Sequence, residues 1–315
     1  MSRTPFRFAE GTAVVTGAAA GMGAHVAALL AERGSDLVLV DRDGEQLAAV
    51  ADGIRAKHPG LTVETETVDL ADRDAVDALG ARILAAHPEL RLLVNNAGVA
   101  LGGDFGRLTL DEFDWVMDIN FRAPVRLTHI LLPALTTRPG AHVVNMSSLF
   151  GLIAPPGQTA YCASKFGLRG FSESLRAELA QQGASVTTVH PGGIRTTIAQ
   201  TARVGVNIPA DEVERGKRDF QKLLTFPADR AAEMIVEAIA ARKPRLLIGA
   251  SAVVPDLLVR LAPANSMRLF SKVVGAAGIR RSRARRGGTA RKDSAGQDDS
   301  ARQDGTRENS TAGAR

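Results

Sequence analysis

Cysteine, tyrosine and tryptophan are nearly absent from this chain of 315 residues, since each of them occurs only once. The single cysteine, Cys162, excludes an intramolecular disulfide framework and favours a reducing compartment. Apolar runs of about 18 residues are absent, and the N-terminal segment lacks the apolar core of a signal peptide. We therefore expect a soluble, cytoplasmic protein, whose 45% of hydrophobic residues suffices for a sizeable core.

Metal-ligand spacing is also absent, because the six histidines are scattered, and so no metal site is expected. The net charge of +5 comes from residues 280–315, which hold ten Arg or Lys and five acidic residues. These residues lack aromatics and are rich in Gly, Ser, Gln and Ala, which is typical of a disordered basic tail. No specific nucleic-acid partner is predicted, although contact of residues 281–286 with nucleic acid or anionic lipid is an alternative to a solvated tail.

The first 250 residues alternate short apolar, β-branched runs with longer periodic segments. This alternation is typical of repeated βαβ units, in which helices cover both faces of a parallel sheet. We predict an α/β fold of the doubly wound, Rossmann type over residues 1–250, with a seven-stranded parallel sheet flanked by helices. The predicted strands cover residues 12–16, 36–40, 62–68, 91–95, 141–146, 185–190 and 245–248, and the predicted helices cover 22–33, 43–57, 72–87, 111–134, 159–182 and 227–242.

Two segments depart from this alternation. Residues 193–226 are long, mixed in charge and weakly periodic, and they follow the carboxyl end of a strand. Open α/β sheets bind ligands at that edge, so we interpret the segment as a substrate loop. Residues 251–279 carry an apolar stripe and are predicted to form a C-terminal helical appendage that packs on the domain. Peripheral contact with a membrane surface is the alternative for the appendage.

Tyr161 and Lys165 are four residues apart in a predicted helix, so their side chains project from one face. A free tyrosine has a pKa of about 10, which is too high for a base near neutral pH. A lysine charge about 5 Å away lowers that pKa by about two units at an effective dielectric constant of about 20. The pair therefore fits a general acid or base, although the same spacing occurs on many ordinary helices.

A glycine-rich turn with Gly17, Gly21 and Gly23 follows the first predicted strand and opens the first helix. Glycine lets the backbone turn sharply and approach a pyrophosphate closely, and a helix N-terminus supplies unpaired N–H groups. The pattern alone is equally compatible with an ordinary tight turn. Its strand-to-helix context favours a nucleotide site.

Asp41 ends the second predicted strand, where a carboxylate can accept hydrogen bonds from the ribose of an adenosine. The same carboxylate repels a 2′-phosphate, which favours NAD over NADP. Arg42 complicates this preference, because a neighbouring guanidinium could pair with that phosphate. Asp41 and Asp43 could instead cap the following helix.

Further polar residues lie at the carboxyl ends of predicted strands. Residues 95–98, Asn-Asn-Ala-Gly, close the fourth strand, where small residues let a cofactor pass and amides can link neighbouring strands. Asn120 is a poor helix former in an apolar helical segment, which indicates a polar role. Ser147 and Ser148 end the fifth strand and point to opposite faces, so one of them is expected to face the cleft.

Together these motifs resemble the short-chain dehydrogenase/reductase family of single-domain NAD(P)-dependent oxidoreductases. Each motif alone is weak to moderate, whereas their joint occurrence in the family's order and approximate spacing is specific. The resemblance runs from about residue 8 to residue 250 and is carried by Thr16, Gly17, Gly21, Gly23, Asn95, Asn96, Ala97, Gly98, Asn120, Ser148, Tyr161, Lys165, Pro191 and Gly192.

The resemblance implies catalytic roles for four residues. Tyr161 is expected to act as the general acid/base, and Lys165 to bind the nicotinamide ribose while lowering the Tyr161 pKa. Ser148 is expected to orient the substrate oxygen, because its distance from Tyr161 along the chain matches the family pattern better than that of Ser147. Asn120 is expected to hold a water between Lys165 and solvent.

The resemblance also implies a dinucleotide cofactor, NAD, with NADP as the alternative. Asp69 and Leu70 correspond to the segment that contacts adenine, and Ile194 with Thr196 or Thr197 to the segment that holds the nicotinamide carboxamide. The expected cofactor-binding residues are Gly17, Gly21, Met22, Gly23, Asp41, Arg42, Asp69, Leu70, Asn96, Ala97, Gly98, Asn120, Tyr161, Lys165, Pro191, Gly192, Ile194 and Thr196.

The implied function is hydride transfer that interconverts a secondary alcohol and a ketone or aldehyde. Family members assemble through the helices at 111–134 and 159–182, so a homodimer or homotetramer is expected. Alternatives are a catalytically weak protein that senses NAD(P), and a domain tethered to nucleic acid or membrane through its basic tail. An apolar wall, and hence a hydrophobic alcohol or carbonyl substrate, is predicted from Leu149, Phe150, Leu152 and Ile153 together with the loop at 193–226.

Overall fold

Nine β-strands occur in the part of the chain that this computed structural model describes, residues 4–196 and 198–263. The predicted tail at 280–315 and residues 264–279 of the predicted appendage lie outside the described residues. The strands are β1 (Thr12–Thr16), β2 (Asp36–Asp41), β3 (Val63–Thr67), β4 (Leu92–Asn95), β5 (Leu101–Gly102), β6 (His142–Met146), β7 (Ser185–Pro191), β8 (Arg203–Val204) and β9 (Arg245–Ile248).

Seven of these strands form one parallel sheet in the order β3-β2-β1-β4-β6-β7-β9, which confirms the predicted fold class. The central strands β4, β6 and β7 are buried throughout, because helices cover both faces. At the edge, β3 buries only Val63. The strand order changes direction at β1 and β4, and the crevice beyond their carboxyl ends is where such sheets bind ligands.

Ten α-helices accompany the strands in the described residues, and side chains of Asp43, Asp72 and Thr109 cap the second, third and fourth of them. The predicted helix at 111–134 is divided by a π-helical turn at Asp118–Arg122. Within the described part of the chain, no helix is both long and apolar enough to cross a membrane. The helices are α1 (Gly21–Glu32), α2 (Gly44–Lys57), α3 (Arg73–Ala86), α4 (Leu110–Met117), α5 (Ala123–Thr136), α6 (Thr159–Ala180), α7 (Ile198–Thr201), α8 (Ala210–Leu223), α9 (Ala228–Ala240) and α10 (Ala250–Leu261).

Two hydrophobic cores lie on the two faces of the sheet, because successive residues of a strand point to opposite sides. In β1, Val15 packs in the core with α1 and α9, whereas Val14 packs in the core with α3 and α5. Full burial of such a side chain stabilises the fold by about 1.5–3 kcal/mol. The two cores therefore fix the strand register, and with it the positions of the strand ends.

The segment at 193–226 has more regular structure than its sequence predicts. It contains α7, β8 and the 14-residue helix α8, and β8 pairs with β5 in a separate two-stranded sheet. The sequence analysis missed α8 because most of its residues are polar. Its inward face is marked by few apolar side chains, such as Val213 and Phe220.

Candidate active site

The glycine turn connects β1 to α1 at the crevice. Gly17 and Gly21 have φ angles of +67° and +56°, in the left-handed region that favours glycine. A Cβ at Gly23 would lie 2.0 Å from the Gly17 carbonyl oxygen, and a Cβ at Gly17 would lie 2.8 Å from the Cα of Ala97. Both clashes are with backbone, which cannot move aside as a flexible side chain can. Gly17 and Gly23 therefore allow a turn that residues with a Cβ do not.

The N-terminus of α1 has no side-chain cap, because the N-cap residue is Ala20. Its first-turn N–H groups and the positive end of the helix dipole are suited to a pyrophosphate. Met22 is half-buried and packs against the core, so its side chain anchors the turn. The main chain of the turn is then the part placed for the predicted cofactor contact.

Asp41 lies beside this turn at the end of β2. Its Oδ2 accepts a hydrogen bond from Ala19 N at 3.0 Å, and its Oδ1 accepts one from Asp43 N at 3.2 Å. Asp43 caps α2 by accepting from Gln46 N at 3.1 Å. Arg42 is exposed. Helix capping is thus performed by Asp43, whereas Asp41 is tied to the turn beside which a ribose is expected.

The two residues predicted to contact adenine have different surroundings. Asp69 is exposed, and its Oδ1 accepts a hydrogen bond from Ala71 N at 2.9 Å. Leu70 is 8% exposed and packs in the core that contains Val14. The Asp69 carboxylate is therefore accessible, whereas the Leu70 side chain is used for packing.

Asn96 holds the glycine turn against the end of β4. Its Nδ2 donates to the carbonyl oxygens of Thr16 at 2.9 Å and Gly17 at 3.0 Å. In return, Thr16 Oγ1 accepts from the main-chain N–H groups of Asn96 and Ala97, both at 3.1 Å. These bonds fix the relative position of β1 and β4 at the crevice.

Asn95 does not contact the glycine turn as Asn96 does, because its side chain is 1% exposed and lies inside the sheet. Its Nδ2 donates to Asn145 Oδ1 at 2.8 Å, and Asn145 Nδ2 donates to Ser172 Oγ at 2.9 Å. This buried chain of polar groups links β4 to β6 and α6. The prediction that amides at residues 95–98 link neighbouring strands is therefore confirmed.

Asn120 lies in the π-helical turn between α4 and α5 and is fully buried. Its Oδ1 accepts from Val99 N at 2.8 Å, and its Nδ2 donates to Val99 O at 2.9 Å and to Ser164 Oγ at 3.2 Å. A Cβ at Gly98 would lie 3.2 Å from both Asn120 Oδ1 and Lys165 Nζ, so glycine there keeps the space between them open. The contacts of Asn120 are to protein groups, and its role in holding a water stays a prediction.

The two serines after β6 face opposite ways, as the alternation along a strand predicts. Ser147 is buried, and its Oγ donates to the carbonyl oxygen of Lys165 at 2.9 Å. Ser148 is half-buried, and its Oγ accepts from Phe150 N at 3.1 Å. The hydroxyl of Ser148 also faces that of Tyr161 and acts to lower the Tyr161 pKa. Of the two serines, Ser148 is thus the one beside the predicted catalytic tyrosine.

Tyr161 and Lys165 meet on one face of α6, as their spacing predicts. The Nζ atom of Lys165 lies 5.7 Å from the centroid of the Tyr161 ring and donates to the Met146 carbonyl oxygen at 2.9 Å. Lys165 is 3% exposed, and burial lowers its pKa to about 8. The ammonium group therefore remains mostly charged at neutral pH.

The expected lowering of the Tyr161 pKa is not found in the protein alone. Although the side chain is partly exposed, desolvation of the phenol raises its pKa above 10.0, and the nearby Ser148 hydroxyl offsets only part of that rise. The sequence-based estimate used a dielectric constant suited to a protein surface. Dense surroundings make desolvation the larger effect. Tyr161 consequently keeps its proton at neutral pH.

The chain that follows β7 returns to the glycine turn. A Cβ at Gly21 would lie 3.3 Å from Thr196 Cγ2, which places Thr196 next to that turn. Thr196 Oγ1 accepts a hydrogen bond from Ile198 N at 3.4 Å. Thr197, the alternative to Thr196 in the sequence analysis, lies outside the described residues.

The residues just before Thr196 are held by the sheet. Pro191 ends β7, and Gly192 N donates to Ile248 O at 3.0 Å. Ile194 is 4% exposed and packs in the core that contains Val15. The Ile194 side chain is thus used for packing, as that of Leu70 is.

A cavity of about 310 Å³ lies between α8, the β5–β8 sheet and the loop before α6. Gln158 contributes its amide to the wall, three residues before Tyr161. Small and apolar residues make up most of the rest, including Gly102, Gly103, Ile208, Val213 and Phe220. The cavity is therefore suited to an apolar ligand group near the start of α6.

The predicted apolar wall is only partly accessible. The Phe150 ring packs edge-on against Tyr161, with 6.0 Å between the ring centroids, and Leu149 is half-buried beside it. Leu152 and Ile153 are each 3% exposed, because they pack inside the domain. Leu152 and Ile153 do not line the cavity beside α8, so their part in an apolar wall stays a prediction.

The chain matches the family model for short chain dehydrogenases over residues 11–206. It belongs to this family. The putative oxidoreductase SadH of Mycobacterium tuberculosis is 35% identical over 261 residues, which cover 82% of this chain and 93% of SadH. A short chain dehydrogenase/reductase from Burkholderia phymatum in complex with NAD superposes with a TM-score of 0.74 at 29% identity, over 81% of this chain and 94% of that one. A metagenomic short-chain oxidoreductase in complex with NADP superposes with a TM-score of 0.61 at 31% identity, over 79% of this chain and 98% of that one.

Membership of the short chain dehydrogenase family confirms the resemblance drawn from the motifs. The site also contains Ser164, which sequence reasoning missed and whose Oγ donates to Tyr161 O at 2.8 Å. Thr16 belonged to the glycine-turn motif, but its role in linking β1 to β4 was not predicted. His190 is fully buried with Nδ1 3.1 Å from Ser148 O, and burial lowers its pKa to about 4. The only signal for these residues was their position next to motif residues.

Proposed function

We propose that this protein is an NAD(P)-dependent oxidoreductase that interconverts a secondary alcohol and a ketone or aldehyde. The observation that carries the proposal is the grouping of Ser148, Tyr161 and Lys165, in which the phenol faces the serine hydroxyl and a buried ammonium lies 5.7 Å from the centroid of its ring. Two adjacent hydroxyl groups can donate to one carbonyl oxygen and polarise it.

The crevice at the carboxyl ends of the strands fits a dinucleotide. Gly17 and Gly23 form a turn without Cβ atoms, and the uncapped start of α1 offers N–H groups to a pyrophosphate. Asp41 is placed to accept from ribose hydroxyls, which favours NAD, while exposed Arg42 supports NADP as the alternative. Related structures contain either NAD or NADP.

Each residue of the group has a task in reducing a carbonyl. Bound NAD(P) supplies the hydride in this direction and accepts it in alcohol oxidation. Ser148 and Tyr161 donate hydrogen bonds to the substrate oxygen as negative charge develops on it, and Tyr161 then transfers its proton. The raised pKa keeps the proton on Tyr161 until that step. Lys165, with a pKa of about 8, stabilises the resulting phenolate.

A hydrophobic substrate is supported by the cavity between α8 and the β5–β8 sheet. Its volume of about 310 Å³ lies at the lower end of the range for small-molecule sites. Val213 and Phe220 of α8 contribute apolar surface, and Phe150 adds an aromatic face beside Tyr161. Residues of the proposed substrate loop thus supply part of the binding surface.

A homodimer or homotetramer belongs to the same proposal. Leu110 at the start of α4 is 72% exposed, and Phe166 in α6 is 39% exposed. Both lie on helices expected to form the subunit interface. Burial of these side chains between subunits would remove apolar surface from water.

The Tyr161→Phe variant tests the proposed chemistry. It removes the proton donor but keeps the ring, so we expect turnover to fall by about 10²–10⁴-fold. Dinucleotide affinity should stay within about twofold, because the variant keeps the ring and also keeps Lys165, to which the ribose contact is assigned. Absorbance of the reduced nicotinamide is followed with a panel of hydrophobic secondary alcohols and ketones, with NAD and NADP in parallel.

Ser174→Ala is the matched control, because it removes an exposed hydroxyl from the same helix. Its turnover should equal that of the unaltered protein. Full activity of Tyr161→Phe would refute the assigned role. An unaltered protein that binds dinucleotide without turnover on the whole panel would instead support a sensing protein.

A further inference from the structure

Helix α10 has an apolar face that is not covered by the domain on which it packs. Its inner side carries Ala252 and Pro255, which are buried. On the other side, four apolar residues fall within an arc of about 100°, because an α-helix turns once in about 3.6 residues. These residues are between 48% and 74% exposed. We call them the α10 stripe, which consists of Val253, Val254, Leu257 and Leu261.

The inner side of α10 is fixed to the domain by polar contacts. Arg245 of β9 donates to both carboxylate oxygens of Asp256, with 3.0 Å from Nη1 to Oδ2. The Arg245 guanidinium holds the pKa of Asp256 below its usual range. Ser251 Oγ accepts a hydrogen bond from Gly193 N at 3.2 Å. The helix therefore cannot turn its stripe toward the core without breaking these contacts.

Apolar exposure is concentrated on this helix. Single exposed apolar residues are ordinary on protein surfaces, whereas a contiguous group of them indicates a site of interaction. Among the described residues, nine large apolar side chains are exposed, and four of the nine belong to the 12 residues of α10. The stripe is about 12 Å long, because each residue of a helix adds about 1.5 Å. It is therefore a surface for a partner with apolar groups.

The sequence after α10 is basic and lacks acidic residues. Residues 264–292 contain nine Arg or Lys and no Asp or Glu, and the next acidic residue is Asp293. The preceding acidic residue, Asp256, already pairs with Arg245 and Arg260. The nine basic residues are Arg268, Lys272, Arg280, Arg281, Arg283, Arg285, Arg286, Arg291 and Lys292. The α10 stripe is thus followed in the chain by a long run of positive charge.

Apolar surface and positive charge together are complementary to a membrane with anionic lipids. The acyl chains accept apolar side chains, and the headgroups attract Lys and Arg. A second copy of the chain would instead bring two basic segments together, which repel each other. Nucleic acid would attract the charge through its phosphates, but this attraction gives the stripe no apolar partner. Anionic lipid is the partner that uses both features.

We propose that the α10 stripe binds the surface of a membrane that contains anionic lipids, and that the basic residues of 264–292 contact the lipid headgroups. A helix of 12 residues is too short to cross a bilayer, which needs about 20, so α10 lies in the plane of the surface. The buried side of the helix stays on the domain, and the stripe faces the lipid. This binding does not depend on the chemistry proposed for Tyr161.

Sedimentation of the full chain with lipid vesicles tests the proposal. One set of vesicles is pure phosphatidylcholine, and the other contains about 30% phosphatidylglycerol. We expect a partition coefficient at least about tenfold higher on the anionic vesicles, and a fall in binding as sodium chloride rises from about 0.1 M to about 0.5 M. Equal partitioning onto both sets would contradict the role of anionic lipid.

A double variant, Val254→Gln with Leu257→Gln, tests the stripe. It removes two apolar side chains from the surface without changing charge, so partitioning onto anionic vesicles should fall at least about tenfold. Val206→Gln is the matched control, because Val206 is also exposed but lies outside α10, and its partitioning should stay within about twofold. Melting temperature and NAD affinity should be unchanged in both. Undiminished partitioning of the double variant would overturn the docking of α10.

Two triple variants that each remove three positive charges test the basic segment. Arg283→Gln, Arg285→Gln and Arg286→Gln together should lower partitioning at least about tenfold. Arg302→Gln, Arg307→Gln and Arg315→Gln together form the matched control, with a fall of less than about threefold expected, because acidic residues occur among them. Equal falls would mean that net charge alone determines binding, against the proposal.

Other partners for the stripe give different results. If the protein does not bind anionic vesicles, the proposal is wrong. A lower molar mass of the double variant in light scattering would then assign the stripe to a second copy of the chain. Tighter binding to a DNA duplex than to anionic vesicles, unchanged in the double variant, would likewise refute the proposal and assign the basic segment to nucleic acid.

Discussion

The two edges of the parallel sheet are built in different ways. At the edge where the strands end, backbone and short side chains hold one another, as Asn96 holds Gly17 and Asn120 holds Val99. At the edge where they begin, long arginine side chains such as Arg91 line a cavity of about 480 Å³. The first edge is built from short turns, and the residues of each turn are consecutive in the sequence, so they can be recognised as linear motifs. The second edge is built from residues that are far apart in the sequence, so no linear motif marks it.

Substituting glycine at each edge tests this difference and should give the largest effects. In Gly23→Ala the new Cβ would lie 2.0 Å from the Gly17 carbonyl oxygen, which Asn96 holds in place. We expect a loss of at least about 3 kcal/mol in the free energy of unfolding and no measurable dinucleotide binding. In Gly140→Ala the φ of +105° is unfavourable, but the Cβ meets the movable end of Arg91, so we expect about 1–2 kcal/mol.

Urea unfolding gives both free energies, and calorimetric titration with NAD gives the binding. Gly53→Ala is the matched control, because no atom lies within 4 Å of the new Cβ and the position is inside α2. It should stabilise the protein by up to about 1 kcal/mol through helix propensity. Equal losses at Gly23 and Gly140 would contradict the distinction between a backbone-built edge and a side-chain-built edge.

The features that the sequence predicted are those that depend on residues close together in the chain, and the features it did not predict depend on residues far apart in the chain. Short apolar and β-branched runs predicted the seven strands of the sheet. In the central strands, burial on both faces leaves a continuous apolar pattern, whereas β3 at the edge is marked mainly by its β-branched residues. The spacing of Tyr161 and Lys165 predicted their common face, because helix geometry is local. The pKa of Tyr161 was not predictable, because desolvation depends on atoms brought close by the fold. The meeting of Arg91 with Arg242 was hidden for the same reason.

The stability of the protein in acid should depend on a histidine at the edge where the strands end. His190 at the end of β7 is neutral in the folded protein, because burial lowers its pKa to about 4 from the usual 6.5. Between these pH values the unfolded chain binds a proton that the folded protein does not bind. Stability is therefore lost as the pH falls from 6.5 to 4, by up to about 3 kcal/mol.

Urea unfolding at pH 7, 5.5 and 4.5 measures this contribution. His190→Asn keeps a donor near the Ser148 carbonyl oxygen but cannot titrate, so its stability should fall less between pH 7 and 4.5. His129→Asn is the matched control, because His129 is exposed in α5. An identical fall for His190→Asn and the unaltered protein would show that His190 does not carry the acid sensitivity.

Asp41 at the rim of the carboxyl edge should have the smallest of these effects, because it lies partly in solvent. Its carboxylate is tied to the turn through Ala19 and is expected to repel a 2′-phosphate. Asp41→Ser removes that charge, so we expect the NAD over NADP preference in kcat/KM to fall about tenfold, or about 1.4 kcal/mol. Asp43→Ser is the matched control, since serine also caps α2, and its preference should not change. A preference for NADP of tenfold or more in the unaltered protein would instead assign the recognition of this phosphate to Arg42.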